Sequence, residues 1–150
     1  MSQYCDTEYI KSILPHREPM LLIDDCTIED DGSVTGRYRI KEDDFFIKGH
    51  FPGNPMVPGV IQCEIMAQTC SMLVRDDLRG HIAVYAGLEN VRFKGVVRPG
   101  DLCEIHAVVK GTRGMGSSKM FFCAARLTVG GKLCCKADMS FVLLPNEGEA

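Results

Sequence analysis

Fifteen residues from Val60 to Val74 carry one formal charge, Glu64, in a run of mostly Val, Ile, Met, Ala, Cys and Leu, with Gln62, Gln68, Thr69 and Ser71 as neutral polar exceptions. The spacing predicts a helix, and a helix apolar on most faces has to be covered on most faces. The eleven residues ahead of it, Gly49 to Gly59, hold three prolines and three glycines. These remove backbone donors, fix φ at the prolines and permit positive φ at the glycines, so the stretch cannot be regular structure. Pro58 stands where a first-turn proline is tolerated, because its missing N–H has no intrahelical partner there. The loop thus presents one imidazole, His50, and the helix one carboxyl, Glu64. A lone carboxylate on such a helix is costly unless it is paired, hydrogen-bonded or protonated, which makes the two a candidate acid/base pair.

The rest of the chain supplies the cover. Asp6 to Leu14 predicts a short amphipathic helix capped by Asp6 or Thr7, with Tyr9, Ile10, Ile13 and Leu14 apolar at helical spacing. Met20–Ile28 and Val34–Ile40 predict two strands that pair as a hairpin across Glu29-Asp30-Asp31-Gly32. His81 to Phe93 is extended, with an irregularity at Gly87, and Arg98-Pro99-Gly100-Asp101 is a turn. Cys103, Ile105, Ala107 and Val109 form one strand face, and Phe121, Cys123, Ala125, Leu127 and Val129 another, with a glycine-rich turn over Gly111–Ser117 between them. Gly130-Gly131 is a two-residue hairpin signal. The last strand alternates Leu133, Cys135, Ala137, Met139, Phe141 and Leu143 against Lys132, Cys134, Lys136, Asp138 and Ser140. An antiparallel sheet with one apolar face must cover it, and the central helix is the element that fits. The expectation is one α+β domain over 1–150, a curved antiparallel sheet around one long helix, with residues 145–150 as a frayed tail.

Composition narrows the function. A net charge of −3 gives no general affinity for nucleic acid or an anionic membrane. No apolar run approaches the roughly 20 residues that span a bilayer. The N-terminal stretch has no basic region followed by an apolar one, so no signal peptide is expected. Of the eight cysteines, Cys63, Cys70, Cys103, Cys123 and Cys135 fall at apolar positions of periodic segments, where Cys behaves as a small hydrophobe. No metal-binding spacing of Cys and His appears. A reducing, cytoplasmic setting is the default.

The stretch Gly49-His50-Phe51-Pro52-Gly53-Asn54-Pro55, then Pro58-Gly59, then Glu64-Ile65-Met66-Ala67-Gln68 resembles the signature of the 3-hydroxyacyl-[acyl-carrier-protein] dehydratases of the FabZ type. Leu14-Pro15-His16-Arg17 with Leu21-Leu22-Ile23-Asp24, and Arg92-Phe93-Lys94 with Arg98-Pro99-Gly100-Asp101, extend the likeness over most of the chain. Departures fall at Glu18, Met20 and Asp25, outside the pair. The resemblance implies the hot-dog fold and a homodimer, often assembled as a trimer of dimers. It also implies a site at the dimer interface where the His of one protomer faces the Glu of its partner. The related FabA-type dehydratase/isomerases carry Asp where this chain has Glu64.

The implied reaction removes a proton from C2 and the hydroxyl from C3 of an acyl thioester held on an acyl carrier protein, with no cofactor. His50 is the candidate base, since imidazole titrates near pH 6.5. Glu64 is the candidate acid, favoured by an apolar setting that keeps it protonated. Gln68, one helical turn on, orients it. The N–H of Gly59 at the helix start can polarise the thioester carbonyl. Phe51 and Pro58 support the pair within the same motif, and Arg17, by resemblance, braces the active-site loop. Lys48, Arg92, Lys94 and Arg98 are candidates to meet the acidic carrier or its phosphopantetheine phosphate. His16 reads as a structural histidine of its turn. A hot-dog thioesterase and a non-catalytic acyl-binding subunit are the alternatives.

Overall fold

The structure, a computed structural model, describes residues 1–116 and 118–146. The first helix, α1 (Thr7–Ile13), is capped by the Asp6 carboxylate, which accepts the Tyr9 N–H at 2.9 Å, and it buries Ile10 and Ile13. Ahead of it lies β1 (Gln3–Cys5), too short to show a period, which pairs with β2 (Asp25–Ile28). β2 and β3 (Val34–Arg39) form the expected hairpin.

The strand expected from Met20 begins only at Asp25. Leu21, Leu22 and Ile23 are buried, yet the backbone around them is satisfied by a side chain in place of a ladder. The Leu22 N–H donates to Gln68 Oε1 at 2.7 Å, and the Met20 carbonyl accepts Gln68 Nε2 at 2.7 Å. A buried backbone must find partners, and one amide supplies both a donor and an acceptor.

The central helix is α2 (Gly59–Leu73), followed by one helical turn, α3 (Arg75–Leu78). Four long strands complete the molecule: β4 (His81–Phe93), β5 (Leu102–Met115), β6 (Ser118–Val129) and β7 (Lys132–Pro145). The seven strands make one antiparallel sheet in the order β1-β2-β3-β5-β6-β7-β4, and α2 packs on its β3, β5, β6 and β7. That is the predicted α+β hot-dog arrangement. Ile65, Met66, Cys70 and Met72 of α2 are fully buried against Cys103, Ile105, Ala107, Leu127 and Cys135 of the sheet's inner face. Helix and sheet come close at Gly36 of β3. A Cβ there would stand 2.2 Å from Thr69 Oγ1, so only glycine lets helix and sheet meet at this distance.

Three local expectations change. The glycine-rich turn over Gly111–Ser117 is mostly ladder, with Gly111 opposite Phe122 and Gly114 opposite Lys119; Ser117 itself lies outside the described residues. Val109 keeps the face expected of it, opposite the buried Cys123, but is itself exposed, and a bulge before Gly111 ends the alternation there. Residues 145–146 are not frayed. Pro145 pairs with His81 and the Asn146 N–H donates to the Gly80 carbonyl at 3.0 Å, while 147–150 lie outside the described residues.

The Gly-Gly turn and the irregularity at Gly87 hold. Gly130 and Gly131 turn with φ of 56° and 81°, both left-handed as a two-residue hairpin of matching twist requires. The irregularity at Gly87 is a bulge, and a second lies near Asn90. All eight cysteines are buried free thiols. No helix among the described residues is long and apolar enough to cross a membrane.

Candidate active site

Glu64 lies on the second turn of α2, and its side chain is 21% exposed. Polar groups reach its carboxylate, while Ala67, Ala83 and Phe141 supply apolar walls beside it. Helix periodicity describes what α2 shows to the core; Gln68 joins Glu64 from the same helix, whereas His16 and Tyr85 reach it from other elements. Gln68 Nε2 donates to Oε2 at 3.0 Å, and the Tyr85 hydroxyl of β4 lies 3.3 Å from Oε1. Gln68 is itself immobilised, because its oxygen takes the Leu22 N–H and its second N–H goes to Met20. The orienting role proposed for it at i+4 thus has a geometric basis.

His16 is the group that sequence reasoning set aside. Its Nε2 stands 3.7 Å from Glu64 Oε2, and its Nδ1 is buried without a hydrogen-bond partner. An unpartnered lone pair costs less to bury than an unpartnered N–H, so the proton sits on Nε2, facing the carboxylate. Burial pushes its pKa down, against an upward pull from Glu64, with Arg17 adding to the lowering. The small cavity around the carboxylate is lined by His16, Glu64, Gln68, Ser71, Tyr85 and Phe141.

The second half of the pair sits on the Pro/Gly loop. Within the chain, the loop closes on itself. The Met56 N–H donates to the His50 carbonyl at 2.8 Å, and Phe51 and Asn54 exchange backbone bonds at 3.1 and 2.9 Å. His50 Nδ1 lies 3.1 Å from the Met56 carbonyl. A carbonyl can only accept, so Nδ1 carries the proton and Nε2 is left with its lone pair. The Phe51 ring stacks on the imidazole at 4.2 Å between centroids and is itself half-exposed. His50 and Glu64 do not touch; the partners of each come from different parts of the same chain.

Between them, α2 begins at Gly59 with Pro58 as its N-cap, one residue outside the first-turn position expected for it. The Pro58 carbonyl accepts from the Ile61 and Gln62 N–H groups at 3.0 and 3.1 Å, while the N–H of Gly59 precedes the first intrahelical bond. A Cβ on Gly59 would meet the Phe93 ring at 2.9 Å, so glycine is needed for close approach here as well.

Residues 14–138 match the family model described as a FabA-like domain. The chain is 38% identical over 146 residues to the 3-hydroxyacyl-[acyl-carrier-protein] dehydratase FabZ of Bacillus velezensis, covering 92% of this chain and 97% of that one. It is 36% identical to the same enzyme of Bacillus subtilis over 144 residues, with the same coverage. The chain belongs to the FabA-like family, in its FabZ-type branch. The FabZ of Clostridium botulinum is 34% identical, covering 95% of this chain and 99% of that one. Among solved structures, the dehydratase heterocomplex ApeI:P of Xenorhabdus doucetiae superposes with a TM-score of 0.72 at 18% identity, covering 93% of each chain. A putative thioesterase of Ralstonia eutropha gives 0.55 at 22%, covering 74% of this chain and 76% of that one. At those identities the two structures speak for the fold alone.

The remaining candidates of this FabZ-type chain sort by contact. Arg17 does not reach the His50 loop within the chain, contrary to the bracing role expected of it. Its guanidinium donates to the carbonyls of Lys11, Leu14 and His16 at 3.1, 2.9 and 2.6 Å, closing the C-terminal end of α1. The bracing falls to Arg98, whose Nη1 donates to Asn54 Oδ1 at 2.8 Å and to the Pro55 carbonyl at 3.2 Å, beside the Val57 N–H to Val97 carbonyl bond of 2.8 Å. Arg98 is expected from the sequence at the carrier; nothing local signals these bonds, which link it to residues more than forty positions earlier. Lys48, Arg92 and Lys94 are exposed, with no ion pair among the described residues. No group of three His, Cys, Asp or Glu side chains among the described residues is placed to hold a metal ion.

The His16 environment makes a pH prediction. Its folded-state pKa is depressed below the unfolded value of about 6.5, so the folded state binds this proton less readily than the unfolded state. Its contribution is therefore full above about pH 6.5 and is lost as pH falls from there through the lowered folded value. Urea midpoints between pH 5 and 8 are expected to show the wild type losing stability toward acid faster than His16→Gln. Parallel curves would refute the assignment.

Proposed function

We propose that this chain eliminates water from (3R)-3-hydroxyacyl thioesters carried on acyl carrier protein, giving trans-2-enoyl thioesters in fatty acid biosynthesis, and that its working unit is a homodimer. The observation that carries this reading is the complementary state of two separated groups. His50 Nε2 is a bare acceptor because Nδ1 is tied to Met56, and Glu64 is held by Gln68, with the Tyr85 hydroxyl beside it, elsewhere on the same chain. A second copy brings the two together. The free edge of β4 supports that assembly: it runs thirteen residues at the end of the sheet and exposes Val84, Tyr85, Leu88 and Phe93. A long apolar edge strand is a template for pairing with another chain.

In that arrangement His50 Nε2 of one protomer takes the C2 proton. The negative charge that builds on the thioester oxygen meets the N–H of Gly59 at the positive end of α2. Glu64 of the partner gives its proton to the C3 hydroxyl as the C3–O bond breaks. The C2=C3 double bond forms and water leaves, with no change in oxidation state. Lys48, Arg92 and Lys94 are the exposed cations we assign to the acidic carrier and its phosphate. Eight free cysteines fit a reducing, cytoplasmic setting.

The test supplies a 3-hydroxyacyl-carrier thioester and follows enoyl absorbance and free thiol together, with the mass of the assembly measured in parallel. Enoyl without thiol is the expected result. Thiol release would move the chain to the thioesterases. Binding with neither product would make it a non-catalytic acyl-binding protein. A mass of two or six chains fits the dimer or a trimer of dimers, and an active monomer would overturn the shared site.

A further inference from the structure

We propose that Tyr85 is a positioning residue for Glu64, its hydroxyl turning from the Cys63 carbonyl to the Glu64 carboxylate as Glu64 gives up its proton. The inference rests on the reading of Glu64 as the acid. Tyr85 has one hydroxyl proton and two acceptors at the same distance, Cys63 O and Glu64 Oε1, both at 3.3 Å. A carbonyl accepts in every state. A carboxyl oxygen competes for that proton most strongly once it is charged. While Glu64 holds its proton, the Tyr85 hydroxyl is directed to Cys63; once the proton has gone to the leaving hydroxyl, it turns to Oε1. Only a hydrogen bond changes partner, and no proton is transferred to or from Tyr85.

The other contacts of Glu64 among the described residues are tied to groups with further partners or lie on the opposite oxygen. Glu64 Oε2 is held by Gln68, whose own amide is locked by Leu22 and Met20. His16 Nε2 closes the same side at 3.7 Å. The Tyr85 ring packs on Phe141 with centroids 5.6 Å apart, which sets where the hydroxyl lies. Burial first, and then the charge of Glu64, push the phenol's ionisation upward, so the hydroxyl stays a donor across the working pH range. A bond made after the acid has given up its proton stabilises the transition state more than the bound substrate, so its loss appears in kcat and not in KM.

Tyr85→Phe removes the hydroxyl and keeps the ring on Phe141. The expected result is a kcat lower by roughly 10- to 100-fold, the range for losing a hydrogen bond to a charged group, with KM within about twofold and an unchanged melting temperature. In a Glu64→Gln background the same change is expected to alter the residual rate by less than about twofold, because residues that act as a unit are not additive. A crystal structure of Tyr85→Phe is expected to show the Glu64 carboxylate turned or split between conformers. A kcat within twofold of wild type, equal losses in both backgrounds, or Glu64 held in one unchanged rotamer would each overturn the proposal. A wild-type chain without dehydration would sink the functional reading instead, and the Tyr85→Phe structure would still decide the positioning.

Discussion

Replacing His50 with alanine lowers kcat by about 10²- to 10⁴-fold, the usual worth of one positioned acid or base, and Glu64→Gln does the same. Both variants are expected to stay folded and, on the proposed dimer, to assemble as the wild type does. The His50 ring makes one hydrogen bond, to Met56, and the loop's backbone bonds do not involve the imidazole. Glu64 is partly exposed, and glutamine keeps its shape. If each site takes His50 from one protomer and Glu64 from its partner, the two inactive variants complement each other. Random mixing makes half of the dimers heterodimers with one intact site of two, so about a quarter of the wild-type activity returns. The measurement is the enoyl-forming rate of the co-refolded mixture against each variant alone. No recovery, with mixed dimers demonstrated by mass, would place the two groups in one chain's site.

The second large effect concerns stability. Gly36→Ala puts a Cβ 2.2 Å from Thr69 Oγ1 and 2.9 Å from its Cγ2, and Thr69 is fully buried on α2. Overpacking of this kind costs about 1–3 kcal/mol, which for a chain of this size lowers Tm by roughly 2–12 °C. Thr69 Oγ1 has no hydrogen-bond partner, so trimming it sacrifices no bond. Thr69→Ala is therefore expected to restore most of what Gly36→Ala removes. Thermal melts of the two single variants and the double variant check this, and additive losses would show that the contact is not the cause.

The main architecture was legible because local and global signals agree. The apolar run of α2, the alternation in β6 and β7, and the Gly-Gly turn each say the same thing about one helix wrapped by an antiparallel sheet. The errors lie where a tertiary partner replaced a local one. Leu21 to Ile23 look like strand, yet Gln68 takes the backbone bonds around them. Gly111 and Gly114 look like turn, yet a partner strand holds them in the ladder. Arg98 holds the loop that Arg17 was expected to brace, because a guanidinium's partners are set by reach across space.

His50, Gly59 and Glu64 could be singled out from the chain alone because their chemistry is announced by neighbours in sequence: a rigid Pro/Gly loop, a helix start, and one acid on an apolar helix. Of the cluster around Glu64, only Gln68 could. His16 reads as a turn histidine, and Tyr85 as a ring in a strand between Val84 and Ala86. Register and packing alone carry them to the same carboxylate, one from the segment after α1 and the other from β4. Covalent order specifies which elements form. Which polar atoms satisfy one another was decided only when burial left each of them few partners within reach.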